Sequence, residues 1–104
     1  MEDLQTLRKE IDEIDNSLVA LFEKRMAIAE QVAAYKIQIG KPVFDKDREQ
    51  EKLSSLGSMA HNEFNRCGIQ QLYEQIMSIS RKRQYQLLQK HNPVQDWGFT
   101  PIES

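Results

Sequence analysis

Apolar residues recur over the first part of the chain at alternating steps of three and four, the spacing of one face of an α-helix. No glycine or proline interrupts residues 3–39, because the first glycine is Gly40 and the first proline is Pro42. The pattern therefore predicts one unbroken helix over residues 3–39, which at about 1.5 Å per residue would be about 55 Å long. We call its apolar row the N-terminal seam, whose positions are Leu4, Leu7, Ile11, Ile14, Leu18, Leu21, Arg25, Ile28, Val32, Tyr35 and Ile39.

Two further helices are predicted after this one. Residues 40–43 are expected to end the first helix, and Asp45 can cap a second helix over residues 45–57. Residues 57–63 are typical of a turn, and the spacing of apolar residues beyond them predicts a third helix over residues 65–90. The apolar positions of this third helix are Ile69, Leu72, Ile76, Ile79 and Leu87.

The predicted fold class is all-α, with three helices per chain in residues 1–92 and a tail or linker in residues 93–104. A compact domain of this length has a radius of gyration of only about 13 Å, so the rest of the chain is too short to cover a rod of about 55 Å. We therefore predict that a second copy covers the rod, in an intertwined homodimer. The alternative is a bend or break within the first helix.

Composition narrows the class of protein. A chain of 104 residues is one domain, and its net charge of -2 argues against a general nucleic-acid binder. No apolar run approaches the roughly 20 residues of a membrane span, and the charged N-terminus is not typical of a signal peptide. A single cysteine, Cys67, cannot form an internal disulfide and favours a cytoplasmic location. With only His61 and His91 besides, neither a metal nor a cofactor is expected.

Arg25 interrupts the N-terminal seam at a position that the pattern reserves for an apolar residue. A buried guanidinium is very costly unless it has a partner. That partner could be a carboxylate across the dimer interface, or a bound ligand. Lys36 lies eleven residues later, only about 20° off the same helix face and about 16 Å along the axis. Two long cationic side chains can therefore converge on a ligand between them.

The third helix has a matching polar gap in its apolar face. Ser80 and Gln84 form an i, i+4 pair that presents hydrogen-bonding groups inward, either to a ligand or to a neighbouring helix. Arg48 and Glu49, in the polar half of the second helix, would be solvated surface if taken in isolation.

Arg8 is separated from Arg25 by 17 residues of the same helix, or about 25 Å, which no small metabolite spans. The two could serve one pocket only if Arg8 came from the partner chain, through an antiparallel two-fold pairing. Together these groups comprise cations, an amide, a hydroxyl and a carboxylate, without an evident nucleophile, histidine or metal cluster. They suit a small dicarboxylate ligand and catalysis by positioning and electrostatics.

Over residues 4–90, the chain resembles the all-helical chorismate mutases. The resemblance is carried by LRKEIDEIDNSLVALFEKRMAIAEQVAAYK, GKPVFDKDREQE and LYEQIMSISRKRQ, which contain two arginines, a lysine eleven residues after the second, a D..RE segment and a late S…Q pair. It implies conversion of chorismate to prephenate, on the route to phenylalanine and tyrosine. A fused prephenate dehydratase domain beyond the tail is also compatible with the resemblance.

The resemblance also implies roles for eight residues. Lys36 and Gln84 would be the catalytic pair, both donating to the ether oxygen whose bond to the ring breaks. The substrate-binding residues would be Arg25 and the partner's Arg8 on the two carboxylates, Arg48 in support of the charge cluster, Asp45 and Glu49 on the ring hydroxyl, and Ser80 against the ring carboxylate. Two alternatives stay open: an isochorismate-pyruvate lyase, which would release pyruvate, and a non-catalytic helical module for dimerisation or ligand sensing.

Overall fold

The computed structural model describes residues 3–91, and all of its regular structure in that range is helical. The helices are α1 (Leu4–Ile39), α2 (Lys46–Gly57) and α3 (Glu63–His91). The predicted all-α architecture with one very long first helix is thus confirmed, and α1 runs unbroken for 36 residues. The tail predicted for residues 93–104 lies outside the described residues.

Short polar residues and one glycine set the helix ends. Asp3 and Asp45 begin α1 and α2 by accepting a hydrogen bond from the backbone N–H three residues on, at 2.8 and 3.0 Å. Gly40 ends α1 with a φ of 73°, the left-handed conformation that glycine adopts without strain. α3 starts two residues earlier than predicted because Asn62 caps it, accepting a hydrogen bond from the Asn65 N–H at 2.7 Å.

α3 packs against both other helices, and the small core lies between α1, α3 and the connection that follows α1. This core is built from Ala29 and Ala33 of α1, Met77 of α3 and Val43 of the connection between α1 and α2. It lies beside the N-terminal seam rather than on it, since Ile28, Val32 and Tyr35 of the seam stay exposed. The apolar row expected on α3 is likewise only half covered, with Leu72 and Ile79 exposed.

The first half of α1 extends beyond this body. Every side chain from residue 3 to residue 21 is exposed, including seam residues that are 45–61% exposed. The molecule consequently measures 63 × 26 × 23 Å, with a radius of gyration of 18.0 Å against about 13 Å for a compact domain of this length. An uncovered apolar row of this length is unusual for a protein surface and is typical of interaction sites. None of the three helices is sufficiently apolar over its length to cross a membrane.

Candidate active site

A cavity of about 550 Å³ lies between the second half of α1, the connection that follows it, α2 and α3. Its volume falls within the range of about 300–1,000 Å³ that is usual for small-molecule sites. Seven of the eight residues expected at the site line this cavity, namely Arg25, Lys36, Asp45, Arg48, Glu49, Ser80 and Gln84. The eighth, Arg8, is exposed on the first half of α1 and is not part of the lining.

Lys36 is positioned by the chain that follows its own helix. After α1 ends, the connection folds back so that the backbone oxygen of Val43 accepts a hydrogen bond from Lys36 Nζ at 2.9 Å. Val43 itself is buried, which fixes this acceptor in place. An ammonium group has three donors, so Lys36 keeps two for a ligand in the cavity.

Arg25 lies beside an aromatic ring rather than a carboxylate. Its guanidinium carbon is 6.0 Å from the centroid of the Tyr73 ring, at the outer limit of a cation–π contact. Within residues 3–91 of one chain, none of Arg25, Lys36 and Arg48 has a carboxylate oxygen within 4.0 Å. These three cations thus remain available to an anionic ligand.

Ser80 and Gln84 are the buried polar pair of α3. They are 7% and 8% exposed, and Gln84 Nε2 donates a hydrogen bond to Ser80 Oγ at 3.1 Å. Gln84 Oε1 is buried and has no hydrogen-bond partner among the described residues. The prediction that this pair faces inward is confirmed.

Sequence reasoning missed two cavity cations, Arg81 and Lys52. Arg81 forms an ion pair with Glu49 and places its guanidinium 5.0 Å from the centroid of the Phe44 ring. No local signal singles out either residue, because Lys52 ends the charged run DKDREQEK and Arg81 begins the run RKR. Adjacent residues such as Ser80 and Arg81 do not share a helix face.

The charge of the cavity differs from that of the chain. Its lining holds two acidic residues, Asp45 and Glu49, and five cationic residues, so the net charge is +3 in a chain whose net charge is -2. The cationic residues are Arg25, Lys36, Arg48, Lys52 and Arg81. A concave surface with this excess of positive charge attracts a small anion. In the part of the chain that the structure describes, no group of three His, Cys, Asp or Glu side chains could hold a metal ion.

Comparison with known proteins gives a consistent result. The sequence pattern of the family "Chorismate mutase type II" matches residues 7–85. A protein named chorismate mutase from Methanocaldococcus jannaschii is 32% identical over 92 residues, covering 86% of this chain and 92% of that protein. The bifunctional chorismate mutase/prephenate dehydratases of Buchnera aphidicola and Escherichia coli are 36% and 35% identical over 91 residues.

The share of each relative's length that the chain matches differs between the archaeal protein and the bifunctional proteins. The match covers 85% of this chain but only 23% of each of the two bifunctional proteins. No solved structure matches the chain significantly. Because the family pattern extends over most of the chain, and the archaeal relative is matched along almost its whole length, the chain belongs to the chorismate mutase type II family.

Proposed function

We propose that the cavity is the active site at which this enzyme rearranges chorismate to prephenate. One observation carries the assignment: seven of the eight residues that the family resemblance implies for the site, from α1, the connection, α2 and α3, line one positively charged cavity. The reaction is an intramolecular [3,3] shift, in which the ether C–O bond breaks as a C–C bond forms. It requires neither proton transfer nor a covalent intermediate, so a site without a nucleophile or histidine is sufficient.

The cations of the cavity are suited to the two carboxylates of chorismate. Arg25 is held beside Tyr73 without a carboxylate partner in the described chain, so its guanidinium is free to bind a substrate carboxylate in the bidentate manner. Arg48 adds positive charge, and Ser80 would lie against the ring carboxylate. Asp45 and Glu49 would bind the ring hydroxyl, and these contacts together would select the compact diaxial conformer.

Selecting that conformer brings the two reacting carbons together, which is the first source of acceleration. The second is stabilisation of the negative charge that builds on the ether oxygen, by donors that act more strongly in the transition state than in the ground state. Lys36 and Gln84 are the donors we assign to that oxygen. An acceleration of about 10⁶-fold would require about 8 kcal/mol from the two sources combined.

The geometry of Gln84 supports its role once the amide is turned. As described, its nitrogen is bonded to Ser80 while its buried oxygen lacks a partner. A half-turn of the amide exchanges the two atoms, so that the Ser80 hydroxyl donates to Oε1 and both N–H groups of Nε2, one of which is otherwise bonded to Ser80, become available as donors. We propose that this orientation is the one that binds substrate, since it satisfies the buried oxygen and directs an N–H group at the ether oxygen.

We further propose that the active enzyme is an intertwined homodimer and that the partner supplies Arg8. The exposed half of α1 carries both an uncovered apolar row and Arg8. Two copies related by a two-fold axis, with antiparallel α1 helices, would cover that row. The same pairing would bring the partner's Arg8 toward Arg25, which it cannot approach within one helix because about 25 Å separates them.

The relatives differ in domain organisation. The match spans almost all of the M. jannaschii protein, whereas it forms about a quarter of each bifunctional relative. The activity proposed here needs the matched region only. A prephenate dehydratase activity is stated in the names of the bifunctional relatives, and a fused domain of that kind would have to be sought outside the matched region.

The direct test is to mix the purified protein with chorismate and to follow both its loss and the product formed. We expect prephenate as the product, without added metal or cofactor. In a parallel reaction supplied with isochorismate, release of pyruvate, with no prephenate formed from chorismate, would instead assign the cavity to a lyase. Binding of chorismate without conversion would indicate a sensing or dimerisation module, and would overturn the proposed activity.

The amide at position 84 leads to a prediction about pH. Because Gln84 is neutral, its hydrogen bond to the ether oxygen is present at every pH, so this residue should impose no loss of activity between about pH 6 and pH 8. The variant Gln84→Glu should be active only in acid, because a carboxyl group can donate only when protonated.

The measurement is kcat as a function of pH for the parent and for Gln84→Glu. Gln89→Glu is the matched control, because Gln89 is exposed on the same helix and does not line the cavity. It should keep the flat profile of the parent. A flat profile for Gln84→Glu as well would contradict the assignment of Gln84 as a donor.

A further inference from the structure

Arg81 forms the ion pair that joins α2 to α3 at the cavity wall. Its guanidinium is paired with the carboxylate of Glu49, and both side chains are mostly buried, at 30% and 21% exposed. Two other ion pairs occur within residues 3–91: one lies inside α3, and the other joins α3 to α1. The Arg81–Glu49 pair is therefore the one ion pair in the described chain that connects α2 to another helix.

The same guanidinium also contacts the connection between α1 and α2. It lies 5.0 Å from the centroid of the Phe44 ring, within the range of a cation–π contact. Phe44 stands between Val43, which accepts the hydrogen bond of Lys36, and Asp45, which caps α2. An arginine can contact the Phe44 ring and the Glu49 carboxylate at once, because its planar face stacks on a ring while its edge binds a carboxylate. A lysine cannot make this pair of contacts.

Glu49 is left with one oxygen for a ligand. Arg81 Nη1 bonds to Oε1, so Oε2 remains to accept a hydrogen bond from inside the cavity. Without Arg81, the carboxylate of Glu49 would lose its fixed orientation and its ion-pair partner, and its negative charge would repel a dianionic substrate more strongly. Loss of a positioning contact of this kind can lower catalysis by as much as about 100-fold.

We propose that Arg81 is a positioning residue that orients Glu49 toward the ring hydroxyl of the substrate and keeps its charge balanced. The proposal rests on the proposed function, since it assigns Arg81 a role through the Glu49 contact of that same site. Arg81 acts through Glu49 and touches no reacting atom. Its effect on catalysis should therefore vanish when Glu49 is absent.

The experiment is a double-mutant cycle on kcat/KM with chorismate, using Arg81→Leu, Glu49→Ala and the double variant. We expect Arg81→Leu to lower kcat/KM by about 10- to 100-fold in the parent, mainly through a higher KM, and to have little further effect in Glu49→Ala. Arg81→Lys should recover part of the loss, because it restores the charge but neither the fork nor the stacking.

Arg83→Leu is the matched control for a merely structural role. Arg83 lies on the same helix and forms an ion pair with Glu30 of α1 at 2.8 Å, but it does not line the cavity. Thermal unfolding should shift by a similar amount in both leucine variants, whereas kcat/KM should fall only in Arg81→Leu. Equal losses of activity in the two variants would overturn the proposal.

Two other outcomes would also overturn it: an unchanged kcat/KM in Arg81→Leu, or an equal loss with and without Glu49. The affinity of the same four proteins for chorismate is also measured, by titration calorimetry. Binding coupled between Arg81 and Glu49 would support the positioning role even in a protein that formed no prephenate. Failure of the proposed activity and failure of the Arg81 proposal are thereby distinguished.

Discussion

Replacing Lys36 with alanine is expected to lower kcat by about 10²–10³-fold, the usual cost of removing one donor to a developing oxyanion. Lys36 Nζ is bonded to the Val43 backbone oxygen, which places its two remaining donors at the cavity. Because these donors act on charge that appears only in the transition state, the loss should be found in kcat rather than in KM. The measurement is the rate of prephenate formation over a range of chorismate concentrations.

The variant should remain folded. It leaves the oxygen of Val43 without its donor, which costs about 1–3 kcal/mol, less than the stability of a typical domain. Circular dichroism before and during heating would establish this. Lys41→Ala is the matched control, because Lys41 is exposed in the same connection and does not line the cavity. Wild-type turnover in a folded Lys36→Ala would show that the ether oxygen has been assigned the wrong donor.

Mixing two inactive variants is expected to restore activity, if the partner's Arg8 completes each site. A heterodimer of Arg8→Ala with Lys36→Ala contains one intact site, in which Lys36 comes from the first chain and Arg8 from the second. Its other site lacks both residues. Random assortment of equal amounts makes half of the dimers heterodimers, so about a quarter of the wild-type activity should return.

The control is a mixture of Lys36→Ala with Gln84→Ala. Both residues of one cavity come from the same chain, so each site of this heterodimer lacks one donor and no activity should return. The subunits are exchanged by unfolding and refolding the two variants together, with each variant refolded alone as the baseline. If the first mixture recovered nothing although heterodimers had formed, Arg8 would not be shared between chains.

The helices could be predicted from the sequence because their signals are local. The steps of three and four in the N-terminal seam, and its termination at Gly40, depend only on helix geometry and on the conformation of one glycine. The start of α3 was predicted two residues too late because the polar stretch before it contains several candidate caps. The structure identifies Asn62 as the cap, because its side-chain oxygen accepts a hydrogen bond from the Asn65 N–H.

From residue patterns alone, the lining of the cavity could be predicted chiefly where a residue contradicts its surroundings, whereas Asp45, Arg48 and Glu49 were indicated by the family resemblance. Arg25 interrupts an apolar row, and Ser80 with Gln84 interrupts another, so all three could be recognised as site candidates. Arg81 and Lys52 lie on helices that are charged over much of their surface, so nothing local distinguishes them. Their place in the cavity depends on how α2 and α3 pack, and the Arg81–Glu49 pair joins residues that are 32 positions apart.

The choice of residues that form the core also depends on packing. Ala29 and Ala33 are buried against α3, whereas the larger Ile28 and Val32 next to them line the cavity or stay exposed. Hydrophobic periodicity predicts which residues form an apolar stripe on a helix. It does not predict which edge of that stripe packs against the other helices of the same chain. For α1, Ala29 and Ala33 pack within the chain, Ile28 and Val32 line the cavity, and the seam from Leu4 to Leu21 is exposed.

The uncovered first half of α1 has a consequence for dilute solutions of this enzyme. A helix whose apolar side chains are exposed from residue 3 to residue 21 has almost no tertiary contact to hold it, and most helical stability in proteins comes from such contacts. In the dimer proposed above, folding of that half and association of two chains would be a single equilibrium. The midpoint of denaturation would then rise with protein concentration, and dilution alone would unwind the helix and remove Arg8 from both sites.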